Sequence, residues 1–183
     1  DGSYYVTADG EDTFKTNADG LASVLFIPVG TYTLEEQQHP GFAPTEAQEF
    51  TVTAENTASY PSKVGVENRP LYFTLTKTDK LTGKTLANVP FKLIDNSGNA
   101  LRCTQQEDGS YKVTASGVDT FLTDTEGKVL ISHIPEGNYK LVEQTYDMYA
   151  THAEVTVTVA NTNTEATPAN ASLKNCPTAF KLT

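Results

Sequence analysis

Apolar side chains recur at every second position through much of this chain, and no long stretch carries them at the spacing of a helix. The alternation predicts strands over 71–78, 90–95 (PFKLID), 110–115 (SYKVTA), 120–123, 128–134 (KVLISHI), 138–144 (NYKLVEQ), 153–160 and 171–176. Turn signals separate them: LTGK, DNSGN, EDGS, DTEGK and PEGN. Short strands so spaced within about a hundred residues indicate an all-β fold, an antiparallel sandwich.

The pattern occurs more than once. DGSYYVTADGEDTFKT at 1–16 answers DGSYKVTASGVDTFLT at 108–123, a shift of 107 positions that holds without a gap. IPVGTYTLEEQ at 27 answers IPEGNYKLVEQ at 134, and VENRPLYFTLT at 66 answers LKNCPTAFKLT at 173. Residues 70–176 therefore form one complete repeat, of single-domain size. Residues 1–69 form the later part of a preceding repeat whose first strands, the counterpart of 77–107, are missing, and 177–183 open a following one. With no initiating methionine and no signal-peptide pattern, the chain reads as a piece of something longer.

Three apolar rows end in polar groups. Phe73 and Leu75 lead to Lys77, Tyr139 and Leu141 lead to Glu143, and Leu173 leads to Asn175. The first repeat has Tyr32, Leu34, Glu36 and Val64, Val66, Asn68 at matching places. Desolvating a lone ammonium or carboxylate costs several kcal/mol, so the three inward polar side chains of the complete repeat are expected to meet. Burial lowers the pKa of a lysine and raises that of a glutamic acid, so such a pair can share a proton and hold a fraction of neutral amine, which is a nucleophile. Attack of Lys77 on the side-chain amide carbon of Asn175, with loss of ammonia, would join them by an isopeptide bond. Glu143 would hydrogen-bond the developing oxyanion and shuttle the proton. The plainer reading is a buried Lys77–Glu143 ion pair with Asn175 as a hydrogen-bond partner. Glu36 and Asn68 have no matching lysine, since Lys15 and Lys63 sit elsewhere in the pattern, and no internal bond is expected there.

These motifs resemble those of Cna B-type domains, the prealbumin-like repeats of Gram-positive surface adhesins and pilins. The resemblance rests on TKTD at 76, LANVPFKLID at 86, TDTEGKVLISHIPEGNYKLVEQ at 123 and LKN at 173, with EEQQHPGF at 35 similar to the family's Glu-x-x-x-Pro-x-Gly-aromatic loop. EQTYDMYA at 143 departs from it in lacking the Pro-Gly. The resemblance implies tandem sandwiches of immunoglobulin-like or prealbumin-like type, and a Lys–Asn isopeptide with a catalytic acid, which maps onto Lys77, Asn175 and Glu143. It also implies a bacterial cell-surface location, anchored to the wall through a parent protein. The partners it implies are neighbouring repeats and, through a tip domain, a host ligand.

Composition narrows the alternatives. A formal net charge of -10 over 183 residues argues against a nucleic-acid partner, and no apolar run is long enough to span a membrane. Cys103 and Cys176 are too few for a disulfide scaffold and lack zinc spacing; they form either one disulfide or two free thiols. NADG at 17 and DTEG at 124 resemble half of a calcium loop but lack the remaining ligands, so they read as turns and no metal is expected. His133, which replaces Phe26 of the first repeat, reads as a packing residue at the sandwich edge. No cofactor motif is present, and no enzyme with turnover is expected, since the proposed chemistry consumes its own side chains. The sequence favours a stiffened stalk module. The other class is a binding module whose loops grip a host protein or glycan, with Tyr146, Met148 and Tyr149 as candidate contacts.

Overall fold

The computed structural model describes residues 3–182, none of them helical. No helix among them is long and apolar enough to cross a membrane. The chain divides into two compact units: the first runs to Gln37 and resumes over Thr45–Glu67, and the second comprises Gln38–Pro44 and continues from Asn68.

The first unit holds two small sheets. Strands β1 (Ser3–Tyr5) and β2 (Ser23–Leu25) pair in parallel; β3 (Gly30–Leu34) and β4 (Gln48–Val52) pair antiparallel, with Tyr32 opposite Phe50 and the two rings stacked 5.7 Å apart. The inward row expected at Val64, Val66 and Asn68 is not found. Residues 61–69 carry no strand and all three side chains are exposed. The reason lies in the partner: the equivalent strand of the second unit pairs only with that unit's first strand, and the first unit has no equivalent of it among its described residues.

In the second unit the alternation becomes two facing sheets. One is ordered β13 (Ala169–Asn175), β5 (Tyr72–Asp79), β10 (Lys128–Ser132), β8 (Tyr111–Val113), β7 (Cys103–Gln105). The other is ordered β12 (Val155–Val159), β11 (Gly137–Glu143), β6 (Pro90–Asp95), β9 (Phe121–Leu122). Each strand predicted in this unit is present, 90–95 with the expected bounds and the others with shifted ends; β7, in the unpatterned LRCTQQ, was not signalled. The first sheet is mixed rather than antiparallel: β13 runs parallel to β5, and β10 parallel to β8. Both pairs arise because the chain crosses to the other sheet before returning, which is what parallel neighbours require. Phe73, Leu75, Val129 and Ile131 from one sheet and Phe91, Leu93, Leu141 and Val157 from the other bury one core, and the Tyr111–Phe121 ring contact of 6.0 Å spans it.

Residues 38–44 fall in the first repeat by sequence but clasp the second unit. Ala43 N–H donates to the Arg69 carbonyl (2.8 Å) and Leu71 N–H to that of Gly41 (2.9 Å). The Phe42 ring lies edge-on to His39 and to His133, at 5.3 and 5.0 Å. His133 is thus the packing residue its position suggested, half-buried, with its imidazole pKa lowered by burial and by the nearby Lys112 and His39. Gly41 has φ 86°, and a Cβ there would lie 2.4 Å from the His133 carbonyl oxygen. Replacing Gly41 by Ala is therefore expected to destabilise the second unit by about 1–3 kcal/mol, from backbone strain and overpacking together. Urea unfolding followed by hydrogen exchange at Leu71 checks this, and Gly20→Ala, where a Cβ meets nothing within 4 Å, serves as the control for left-handed strain alone.

Candidate functional site

Lys77, Glu143 and Asn175 come from three strands and meet between the sheets. The strict alternation of β5 buries Phe73, Leu75, Lys77 and Asp79 on one face. The parallel register sets Leu173 beside Lys77 and Asn175 beside Asp79, so Asn175 follows the lysine along the same face. Glu143 ends β11 on the opposing sheet, paired with Phe91. The turn after Asp124 fixes the backbone of Lys77. Lys77 N–H donates to the Gly127 carbonyl at 2.7 Å, and Gly127 (φ 71°) sits where a Cβ would come within 2.4 Å of the Lys77 carbonyl.

The three side chains are withdrawn from water, Lys77 at 0%, Asn175 at 1% and Glu143 at 5% relative exposure. Lys77 Nζ stands 3.1 Å from Glu143 Oε2 and donates to Asn175 Oδ1, while Asn175 Nδ2 donates to Glu143 Oε1. Burial pushes the lysine pKa below its ordinary value, and the carboxylate beside it opposes that only in part. Apart from its approach to Lys77, Glu143 Oε2 accepts no hydrogen bond. The carboxyl group therefore touches the amine with one oxygen and the amide nitrogen with the other. That arrangement suits the proton-shuttle part of the role expected of Glu143; the amide oxygen is met by Lys77 instead.

Asp79, to which the sequence assigned no role, lies beside Asn175 in the register and holds Tyr149, one of the candidate binding contacts. Asp79 Oδ1 accepts the N–H groups of Leu81 (2.7 Å) and Thr82 (2.8 Å), and Asp79 Oδ2 accepts the Tyr149 hydroxyl (2.7 Å). Tyr146 stacks on Tyr149 at 5.5 Å, and its own hydroxyl donates to the Ala87 carbonyl. Both tyrosines are half-buried and bound inward, so of the three loop residues considered for binding only Met148 is exposed. The signal for Asp79 was its place on the same alternating row.

Glu36 and Asn68 lie exposed, and Glu36 Oε2 accepts the Thr45 hydroxyl at 2.9 Å. Of the two states open to the cysteines, the structure has free thiols: Cys103 is buried, with its pKa pushed up to about 12 by desolvation, and Cys176 is exposed on the outward side of the strand end. The half-loops at 17 and 124 are Asx turns, Asn17 and Asp124 each accepting two local backbone N–H groups. No cluster of three or more His, Cys, Asp or Glu side chains able to hold a metal occurs among the described residues.

The family described as SpaA, prealbumin-like fold domain, matches residues 72–172. Among solved structures, the shaft pilin SpaA of Lactobacillus rhamnosus GG is similar over 92% of this chain and 70% of that one, at 19% identity and TM-score 0.50. A double mutant of that pilin is similar over 83% of this chain and 64% of its own length, at 20% identity and TM-score 0.50. GBS52, the minor pilin of Streptococcus agalactiae, is similar over 92% and 68%, at 20% identity and TM-score 0.50. The chain thus spans about two thirds of the length of these pilins. No curated protein matches it.

The backbone and Tyr149 hydrogen bonds hold the Asp79 carboxyl below the usual carboxylate pKa. A depressed folded-state value means that Asp79 contributes stability above its ordinary pKa, and that this is lost as pH falls through the folded value. In Tyr149→Phe, the Asp79 carboxyl should titrate at a higher pH than in the unaltered chain. Carbon-13 NMR titration of the carboxyl checks this; an unmoved midpoint would mean the tyrosine contributes nothing.

Proposed function

Because the chain belongs to the family of SpaA prealbumin-like fold domains, we propose that it is a structural module of a bacterial surface pilus or adhesin stalk, stiffened by a self-made bond between Lys77 and Asn175. The observation that carries this is the buried amine, carboxyl and carboxamide in mutual contact, an arrangement too costly to keep for packing alone.

The chemistry balances within the three side chains. With the lysine's proton taken up by Glu143 and carried on Oε1, leaving Oε2 free, the neutral amine of Lys77 attacks Cγ of Asn175 and forms a tetrahedral centre. Oε2 takes a proton from the attacking nitrogen as Oε1 gives one to Nδ2. The C–N bond breaks, ammonia leaves, and the carboxylic acid is restored. The event happens once per molecule, which makes the protein a structural element and not an enzyme.

The bond would close a loop of 98 residues in sequence separation, for which the chain-entropy treatment of cross-links suggests about 4–5 kcal/mol of stabilisation. Its mechanical effect is larger. Tension entering at residue 70 and leaving at 176 would pass through an amide and bypass the ladder hydrogen bonds. A wall-anchored stalk of tandem repeats, with neighbouring repeats as its immediate partners, is the setting such a module fits.

Intact mass of the unaltered chain should fall short of the sequence mass by one ammonia, and Glu143→Ala and Glu143→Gln should each restore the full mass. An unaltered wild-type mass would refute the bond. In single-molecule pulling on residues 70–176 within the whole chain, the unaltered protein should lengthen hardly at all, whereas the Glu143 variants should release the enclosed loop.

A further inference from the structure

The clasp formed by residues 38–44 recurs 107 positions later. Ala150 N–H donates to the Cys176 carbonyl (3.0 Å) as Ala43 does to Arg69, and Thr178 N–H donates to Met148 (2.8 Å) as Leu71 does to Gly41. Tyr149 bridges Pro177 as Phe42 bridges Pro70. Met148 has φ 67° where Gly41 has 86°. The first clasp is filled: it holds the loop of His133, a bulky residue in the left-handed conformation at φ 59°. The second has the same backbone hydrogen bonds, no counterpart of the His133 loop lies against it among the described residues, and Met148 is 77% exposed. Phe180 and Leu182 stand at the repeat positions of Phe73 and Leu75, which are buried core.

The ring that fills the first clasp also has a counterpart. Phe26, at the position of His133 in the first repeat, has the same φ of 59° and is 77% exposed. A left-handed phenylalanine is a conformational outlier, and its recurrence marks a ring held out on purpose as a knob. Every repeat so far carries a knob at this place and a clasp about fifteen residues later along the chain.

We infer that the loop 146–150, with residues 176–178, is a docking site for a further prealbumin-like unit, the one that residues 177–183 open, and that it receives that unit's knob ring. This is independent of whether Lys77 and Asn175 are joined. One difference between the two clasps falls at the position of Gly41. Gly41 leaves its guest's carbonyl room that a Cβ would fill, whereas Met148 occupies that space. The guest at the second clasp must stand off by about one side chain, with the flexible thioether packed against its ring in a sulfur–aromatic contact.

Met148 is the sole methionine of the chain and serves as the probe. The chain is extended in register by a copy of residues 77–176 after Thr183, with the added methionine changed to leucine. Folding of the added unit is established by its amide dispersion in NMR spectra. Oxidation of Met148 by hydrogen peroxide should then slow by about threefold or more relative to the 183-residue chain, since susceptibility follows exposure. Changing the added counterpart of His133 to glycine should restore the fast rate. Equal rates in the original and extended chains, with the added unit folded, would overturn the inference, as would slow oxidation that survives loss of the ring.

Discussion

A fully desolvated ammonium, that of Lys77, sets the terms for the second unit. Neither the core nor the strand order tolerates it alone, because an unpaired buried charge costs more than most single contacts return. Its partners must therefore arrive from elsewhere in the chain, and they do: Asn175 from the last strand of the same sheet and Glu143 from the facing one. The contact ties together the beginning, the end and both layers of the unit. Long-range pairing of this kind is slow to find, since loop closure precedes any reward, so the site can assemble only when the sandwich is nearly complete. Chemistry that needs all three groups is thereby confined to the folded state.

The surroundings of the site serve the same end by ordinary means. Thr123, another buried polar residue, donates to the Leu86 carbonyl and accepts from Val89 N–H, so its hydroxyl is satisfied while it joins two loops beside the site. Asp79 turns the chain with two backbone acceptances and anchors Tyr149 with its other oxygen. None of these groups is left to compete for Lys77. The contrast with the first repeat is instructive: Glu36 and Asn68 are the same residue types at the same repeat positions, yet they lie exposed. Position in a repeat does not bury a side chain; a neighbouring strand does.

Much of this was legible because alternation is a local signal and its breach is equally local. Lys77, Glu143 and Asn175 each betrayed themselves by ending an apolar row, and their meeting followed from cost. What escaped reading was what depends on partners. The LRCTQQ stretch becomes strand β7 through pairing with β8 and not through its own pattern. Residues 64–68 have a strand-like pattern and remain without a ladder. The parallel pairs follow from crossings between sheets, which no short window of sequence contains. The tyrosines of the 146–149 loop looked like surface aromatics until their hydroxyls were seen to have inward acceptors.

The parallel pairing of β13 with β5 has a geometrical corollary. Two neighbouring strands that run the same way, one first and one last, send the polypeptide in at one pole of the unit and out at the other. Had the last strand run antiparallel, entry and exit would share a pole. Here the second unit instead carries the chain from one of its poles to the other, about the length of an eight-residue strand, roughly 26 Å.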